Sequence, residues 1–448
     1  MQIFKNKIFN RVLSLIALII LLLSMDWGLR KLLEPITYAT YFNHDIETIE
    51  KSDRRVDMVF VGASRVFRTF VPKVFEQKMG LDCVINAGSS AQPICATYYA
   101  LKDLTERLEV DKVYIGVVWE QLLNAPSTRL NARLIVYDRL SIKNKFLMAL
   151  DSFSFQEKKY LSAAYRFKDN LDIKTMSTNL VDKKKLRDTN YYSYSENEDY
   201  YADKGFVYGY KTYKTGTIPI MGQGKFSKEL ILQENLEYLD KCIEMCKKKD
   251  IEVTLVTGIT SVMRMYVIEN YQEAVEFYTE YAKEKGIEYY NLNYLKNRET
   301  IIPDELMYDY NHINGEGAHK VSELFSNILL DAEKGEDIAN YFYRDFEEFK
   351  KDVNRIVAVK ADITSNEENP SQYHITLQSL QNEDVIPMYR ILVKYTGDTD
   401  YQIVQDWSNN NELDIGVKEA TEIDKIRVEA GTTDRTYAIA SQEYELNN

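Results

Sequence analysis

Histidine is scarce in this chain: His44, His312, His319 and His374 are the only four in 448 residues. A general base working near neutral pH therefore has few places to come from. Cysteine is as rare, with Cys83, Cys95, Cys242 and Cys246 and no C-x-x-C pair. Neither H-E-x-x-H nor a His/Asp cluster occurs, so no metal site is signalled. "VGASRVF" lacks the G-x-G-x-x-G of a dinucleotide fold, and no cofactor is expected. Cys242 and Cys246 run in phase with Leu232, Leu236, Leu239 and Ile243 and read as small core residues of a helix. A Cys83–Cys95 disulfide is compatible with life outside the cell, but spacing alone does not decide it.

Net positive charge is missing too. Lys and Arg number 56 against 69 Asp and Glu, a formal net charge of −13. That excludes a nucleic-acid surface, which needs a basic footprint. Long hydrophobic runs are absent after the N-terminus. There, Lys5, Lys7 and Arg11 precede an uncharged stretch from Val12 to Met25. A spanning helix wants about 20 apolar residues; Ile8, Phe9, Trp27 and Leu29 extend the stretch to that length. No A-x-A-like cleavage site follows, only Asp26-Trp27-Gly28. The expectation is an uncleaved signal anchor over residues 1–31, with the basic end in the cytoplasm and the rest extracytoplasmic.

Tyrosine is abundant: 34 residues, against 18 Phe and 3 Trp. From Asp57 to about Ala332 short apolar strands alternate with amphipathic helices. Strands read at Met58–Val61, Cys83–Asn86, Lys112–Val118, Glu252–Thr257 and Glu288–Asn291. Helices read at Pro72–Met79, Pro93–Leu108, Lys228–Lys249, Val267–Lys285 and Gly317–Leu330. Such alternation predicts an α/β fold, a parallel sheet with helices on both faces and ligands at the carboxyl ends of the strands. The pattern breaks between about 125 and 225, where a polar, Tyr-rich stretch reads as an insertion. A connecting helix is expected over 336–352, and short strands with Asn, Asp, Gly and Thr turns over 353–448 predict an all-β sandwich. The α/β domain then covers 32–335.

Among the histidines, His319 has polar companions on a helix and His374 lies on a strand of the β-domain. His312 differs, because it follows Asp309 in a D-x-x-H loop, "MYDYNHINGEGAHK", that enters the last α/β helix. Ser64 sits in a small-residue turn, "FVGASR", at the carboxyl end of the first strand. In a parallel sheet both places fall on one edge, so nucleophile, base and orienting acid can meet.

These residues carry a resemblance. "FVGASR", "NAGSSAQP" and "DYNHINGEGAHK" resemble blocks one, two and five of the SGNH (GDSL-like) hydrolases, over roughly Val56 to Leu330 without the insertion. The resemblance implies a flavodoxin-like three-layer α/β fold and serine acyl-ester chemistry. It implies Ser64 as nucleophile and oxyanion N–H donor, Gly88 as second donor, His312 as base and Asp309 as its partner. Block three departs from the family pattern: Trp119-Glu120 stands where Asn-Asp is usual, leaving Trp119 or Gln121 as substitute donors. Arg65 and Arg68 are placed to meet an anionic polymer. The membrane anchor and layout are similar to the DltD-like proteins of teichoic acid D-alanylation and the accessory proteins of alginate O-acetylation. By that likeness the chain is an extracytoplasmic serine esterase or acyltransferase acting on cell-surface glycan or teichoic acid, beside a membrane-bound O-acyltransferase. The other expectation is a weakly active or inactive binding scaffold for such a transferase.

Overall fold

Strand β1 (Val56–Val61) sends Val59 and Val61 to one face of a sheet and Met58 and Phe60 to the other, and all four are buried. The strands that follow in chain order are β2 (Val84–Asn86), β3 (Val110–Gly116), β4 (Tyr200–Asp203), β5 (Phe206–Tyr208), β6 (Glu252–Thr257) and β7 (Glu288–Asn291), of which β4 and β5 pair only with each other. The computed structural model describes residues 2–125, 127–189, 197–213, 224–352, 356–365, 372–382, 384–416, 422–433 and 435–446. Five strands pair in parallel in the order β2-β1-β3-β6-β7, with Val59 opposite Ile85 on one side and Val113 on the other. This is the flavodoxin-like order. Its topological switch point lies between β1 and β3, where a ligand crevice opens at the carboxyl ends.

Helices cover both faces, as the alternation predicts. On one side Leu101 and Leu104 of helix Ile94–Arg107 and Leu239, Cys242 and Ile243 of helix Gln233–Lys248 meet Val59, Val113 and Leu255. On the other, Val74 and Phe75 of helix Pro72–Met79 and Val321 and Phe325 of helix Gly315–Glu333 meet Met58, Phe60 and Val256. Phe60 stacks on Phe70 with ring centroids 4.2 Å apart; each such aromatic contributes about 1.5–3 kcal/mol on burial. All four cysteines are buried. Burial pushes the Cys83 and Cys95 thiols up to about 12, so they are unreactive thiols in the core.

The N-terminal helix is Gln2–Leu33, and its segment Phe9–Leu33 is long and apolar enough to cross a membrane. Its end is tied to the insertion: Asp26 accepts from the Ser162 hydroxyl at 3.0 Å and the Ala163 N–H at 2.6 Å, and Asn179 donates to the Leu33 carbonyl at 3.1 Å. The insertion is more helical than its polarity suggests, with helices Leu130–Arg139, Ile142–Asp151 and Ile173–Thr189 before the β4–β5 hairpin. The last of these lacks an apolar stripe, so no periodicity announces it. Nor does one helix connect to the β-domain. Past Glu333 the chain turns at Gly335 (φ +79°), makes a single 3-10 turn at Ile338–Tyr341 and then a short helix, Phe346–Asp352. Between them the Tyr343 N–H donates to the Tyr294 carbonyl at 2.7 Å, which a continuous helix forbids.

The C-terminal strands are β8 (Ile356–Ser365), β9 (Gln372–Gln381), β10 (Pro387–Tyr395), β11 (Gln402–Ser408), β12 (Glu412–Gly416), β13 (Ile423–Thr432) and β14 (Arg435–Glu445). They form two antiparallel sheets, β12-β9-β8 and β11-β10-β13-β14, whose facing residues Ile375, Leu377, Ile391, Val393 and Val428 share one core.

Candidate active site

After β1 the chain turns at Gly62 (φ +151°) and starts helix Ser64–Thr69 with Ser64 as its first residue. A Cβ on Gly62 would lie 2.7 Å from the Gly116 carbonyl, and one on Gly116 only 2.0 Å from Val66 Cγ2. The two strand ends and the helix's first turn are thus pressed together, and Ser64 is presented at the switch point.

The D-x-x-H loop is braced from three sides. The Tyr308 N–H donates to the His312 carbonyl at 2.8 Å, closing the loop on itself. The Thr260 and Ser261 hydroxyls, from the loop after β6, both donate to the Tyr310 carbonyl, at 2.9 and 2.8 Å. Asn314 caps the following helix by accepting from the Gly317 N–H at 2.9 Å. Held this way, His312 Nε2 lies 2.7 Å from Ser64 Oγ, and His312 Nδ1 lies 2.9 Å from each oxygen of Asp309. Asp309 Oδ1 also accepts from the Asn311 and His312 N–H groups, at 2.7 and 2.9 Å. Partial burial raises the Asp309 pKa, but these hydrogen bonds and the His312 charge outweigh it and hold the carboxyl below its ordinary range.

A carboxyl whose pKa is depressed on folding stabilises the fold above its unfolded pKa, about 3.9, and loses that contribution as pH falls through the folded value. Thermal scans of the wild type and Asp309→Asn should therefore differ most above about pH 4 and converge in more acid solution. A gap that persists at the acid end would mean that the Asp309 charge is not what stabilises the loop.

Ser64, Arg65, Asp309, Asn311 and His312 line one open cavity of about 360 Å³. The expected oxyanion donors are placed differently. Gly88 does not line this cavity; its N–H donates to Asn86 Oδ1 at 3.1 Å, and a Cβ there would meet the Phe67 backbone nitrogen at 2.7 Å. Close packing therefore explains this glycine. Three residues on, Ala91 does line the cavity, holds φ +50°, and has no acceptor for its N–H among the described residues. A positive φ on a non-glycine residue was invisible in the sequence. Trp119 is buried among Phe226, Val262 and Met265, away from the cavity. Gln121 reaches the cavity wall, but its amide is occupied, donating to the Gln92 carbonyl at 2.7 Å and accepting from the Val118 N–H at 3.1 Å. It ties the end of β3 to the loop after β2.

Glu120 lines the cavity instead, with Oε1 2.8 Å from Arg264 Nη2 and 3.7 Å from Arg65 Nη2. Burial raises its pKa, yet Arg65 and Arg264 prevail and keep it below the usual range, so it is ionised and accepts only. Arg65 Nη2 also donates to Asn311 Oδ1 at 3.2 Å. Since guanidinium is only a donor, this contact fixes which way the Asn311 amide points, and its NH₂ has no acceptor among the described residues. Nothing in the bare D-Y-N-H string marks Asn311.

Several described tyrosines of the insertion serve packing, while Tyr210 is exposed. Tyr201 and Tyr213 are buried, the Tyr201 hydroxyl donates to Asp45 at 2.6 Å, and Tyr200 stacks on Tyr208. Tyr191, Tyr192 and Tyr194 lie outside the described residues. The hairpin nonetheless builds the site: Asp199 joins Arg68 (2.7 Å) to the Tyr308 hydroxyl (2.9 Å), and the Gly315 N–H donates to the Gly209 carbonyl at 2.8 Å.

No family model and no curated protein matches this chain. Among solved structures, a GDSL-like lipase from Bacteroides thetaiotaomicron shares 13% identity at a TM-score of 0.30, covering 66% of this chain and 100% of its own. A protein described as a platelet activating factor from Streptococcus pneumonia shares 12% identity at a TM-score of 0.31, over 71% of this chain and 99% of its own. A protein described as an acylhydrolase from Bacteroides fragilis shares 10% at 0.29, over 64% and 95%. The functional reading rests on the geometry of the site itself.

Proposed function

We propose that the chain is a serine acyl-esterase or acyltransferase anchored by its N-terminal helix, working on an ester of a cell-surface glycan or teichoic acid. The observation that supports it is the continuous Ser64–His312–Asp309 hydrogen-bonded line, 2.7 and 2.9 Å long at its two links. Ser64 Oγ attacks the ester carbonyl carbon while His312 Nε2 takes its proton. Asp309 holds the imidazole with Nδ1–H toward itself and stabilises the imidazolium. The tetrahedral oxyanion then collapses, the alcohol leaves with the proton from His312, and the acyl group stays on Ser64. Water or a sugar hydroxyl, deprotonated by His312, releases it. Ser64 and Ala91 N–H groups and the Asn311 amide take the donor places that the family fills partly with a block-three Asn. Lys5, Lys7 and Arg11, in the first turns of the helix ahead of its uncharged stretch, support a site outside the cytoplasm, where a membrane-bound O-acyltransferase is the natural partner.

Asn311→Ala is expected to lower kcat by roughly 100-fold with little change in KM, as loss of one oxyanion donor does. Equal activity in steady-state assays of both proteins would remove Asn311 from the reaction.

One observation favours a second reading, a polymer-presenting scaffold: Trp119, in the place of the block-three Asn, is buried away from the cavity, and its neighbour Glu120, an acceptor, lines it instead. A fluorophosphonate probe on the full-length protein in detergent separates the two. Covalent labelling that disappears in Ser64→Ala supports the esterase; a folded wild type that takes no label leaves the scaffold.

A further inference from the structure

A second cavity, of about 380 Å³, shares Phe67, Arg68 and Ser90 with the one beside Ser64 and is also lined by Asp138, Arg139 and Arg166. Arg139 closes helix Leu130–Arg139 and is only 8% exposed. Its Nη1 donates to the Gly88 carbonyl at 2.8 Å, and its guanidinium lies 4.6 Å over the Phe42 ring. Among the described residues no carboxylate comes within 4.0 Å of it, and its Nε has no acceptor. Asp138, in the same wall, is already bidentate to Arg166 at 2.8 and 2.7 Å and lies 3.6 Å from Arg30. Burial pulls the Arg139 guanidinium down to about 10, so it stays charged at neutral pH. Arg68 adds a second cation: Nη2 is paired with Asp199 at 2.7 Å, while Nη1 is buried with no acceptor among the described residues.

A buried guanidinium with no carboxylate in hydrogen-bonding reach is costly unless an anion arrives to pair with it. Tethering the Gly88 carbonyl needs one N–H and no charge, so it does not account for a guanidinium here. Guanidinium forks match the oxygens of phosphate and carboxylate. We propose that this cavity is a subsite for an oxyanion of the substrate, a phosphate or a carboxylate, held by Arg139 and Arg68 one cavity away from the ester that Ser64 attacks. The inference rests on the esterase reading of Ser64. It narrows the substrate to an ester that carries its own negative charge.

Matched acetyl esters test it on the full chain in detergent: acetylglycerol 3-phosphate against monoacetylglycerol, and 2-acetoxypropionate against its methyl ester. In at least one pair the wild type should favour the anionic ester by about tenfold to a hundredfold in kcat/KM, the range of a charged hydrogen bond. The pair that does so says which oxyanion is read. In Arg139→Met, and in the more exposed Arg68→Gln, that ratio should fall towards one, whereas Arg139→Lys keeps part of it. A wild-type ratio near one in both pairs, or a ratio unmoved by Arg139→Met, overturns the subsite. Calorimetric titration of Ser64→Ala with glycerol 3-phosphate and with lactate reads binding without turnover. Binding that vanishes in Ser64→Ala/Arg139→Met supports the subsite even if no ester is hydrolysed, in which case only the esterase reading fails. No binding of either anion overturns it however fast the neutral esters turn over.

Discussion

Ser64→Ala is expected to lower ester turnover by about 10⁴-fold or more, with the fold intact. The hydroxyl is partly exposed at the start of a short helix, and among the described residues its one hydrogen-bond partner is His312 Nε2, 2.7 Å away. Removing it costs the packing almost nothing and the chemistry its nucleophile. His312→Ala should cost about as much, and the double variant hardly more than either, because the two act as a unit. Asp309→Asn should fall nearly as far, since an amide facing Nδ1 favours the wrong tautomer at Nε2. Steady-state rates on one activated acetyl ester and one glycan ester measure all four. Turnover surviving in Ser64→Ala at more than a hundredth of the wild-type rate would place the nucleophile elsewhere. Strictly additive losses in the double variant would break the single-unit description.

Gly205→Ala is the largest structural prediction. Gly205 turns the β4–β5 hairpin at φ +98°, a conformation that L side chains rarely adopt, and a Cβ there would lie 1.7 Å from the Asn86 carbonyl. That neighbour is sheet backbone and cannot rotate aside. At the same place the Asn86 N–H donates to the Lys204 carbonyl at 2.8 Å, the link between hairpin and sheet edge. Strain and overpacking together should destabilise the protein by about 2–4 kcal/mol. Thermal unfolding should shift down by roughly 3–6 °C. Activity should fall as well, because the hairpin holds Arg68, Tyr308 and Gly315 through Asp199 and Gly209. The Tyr308 hydroxyl contact then becomes the readout. Tyr308→Phe should lose part of the activity without the thermal shift. A Gly205→Ala protein with unchanged melting and turnover would show that the hairpin can lift off at no cost.

Much of this was legible in the chain. Glu252–Thr257 and Glu288–Asn291 read as strands and Pro72–Met79 as a helix at the bounds the structure has. Each carries its own local signal: an apolar run, or Pro72 at a helix start and Gly80 at its end (φ +68°). Ser64 and the D-x-x-H loop could be paired on paper because a parallel sheet sends every strand's carboxyl end to one edge. The substitute donors were another matter. Trp119, Gln121 and Gly88 look available in sequence, but whether an N–H is free depends on what folds against it: Asn86 takes the Gly88 N–H, and Gln92 takes the Gln121 amide. The insertion's polarity also hides helices that bury Leu134, Val136 and Met148 in the main core.

The sequence by itself determined the order of elements, the membrane-length apolar helix and the shared edge of Ser64, Asp309 and His312, because those follow from local periodicity and chain direction. Tertiary structure alone decided the surroundings of Ser64. It turned Ala91 rather than Gly88 toward the cavity, set Glu120 between Arg65 and Arg264, and buried Arg139 in the adjoining cavity with no described carboxylate within 4.0 Å. Hydrogen-bond availability and charge compensation are settled between residues far apart in the chain, and no local pattern encodes them.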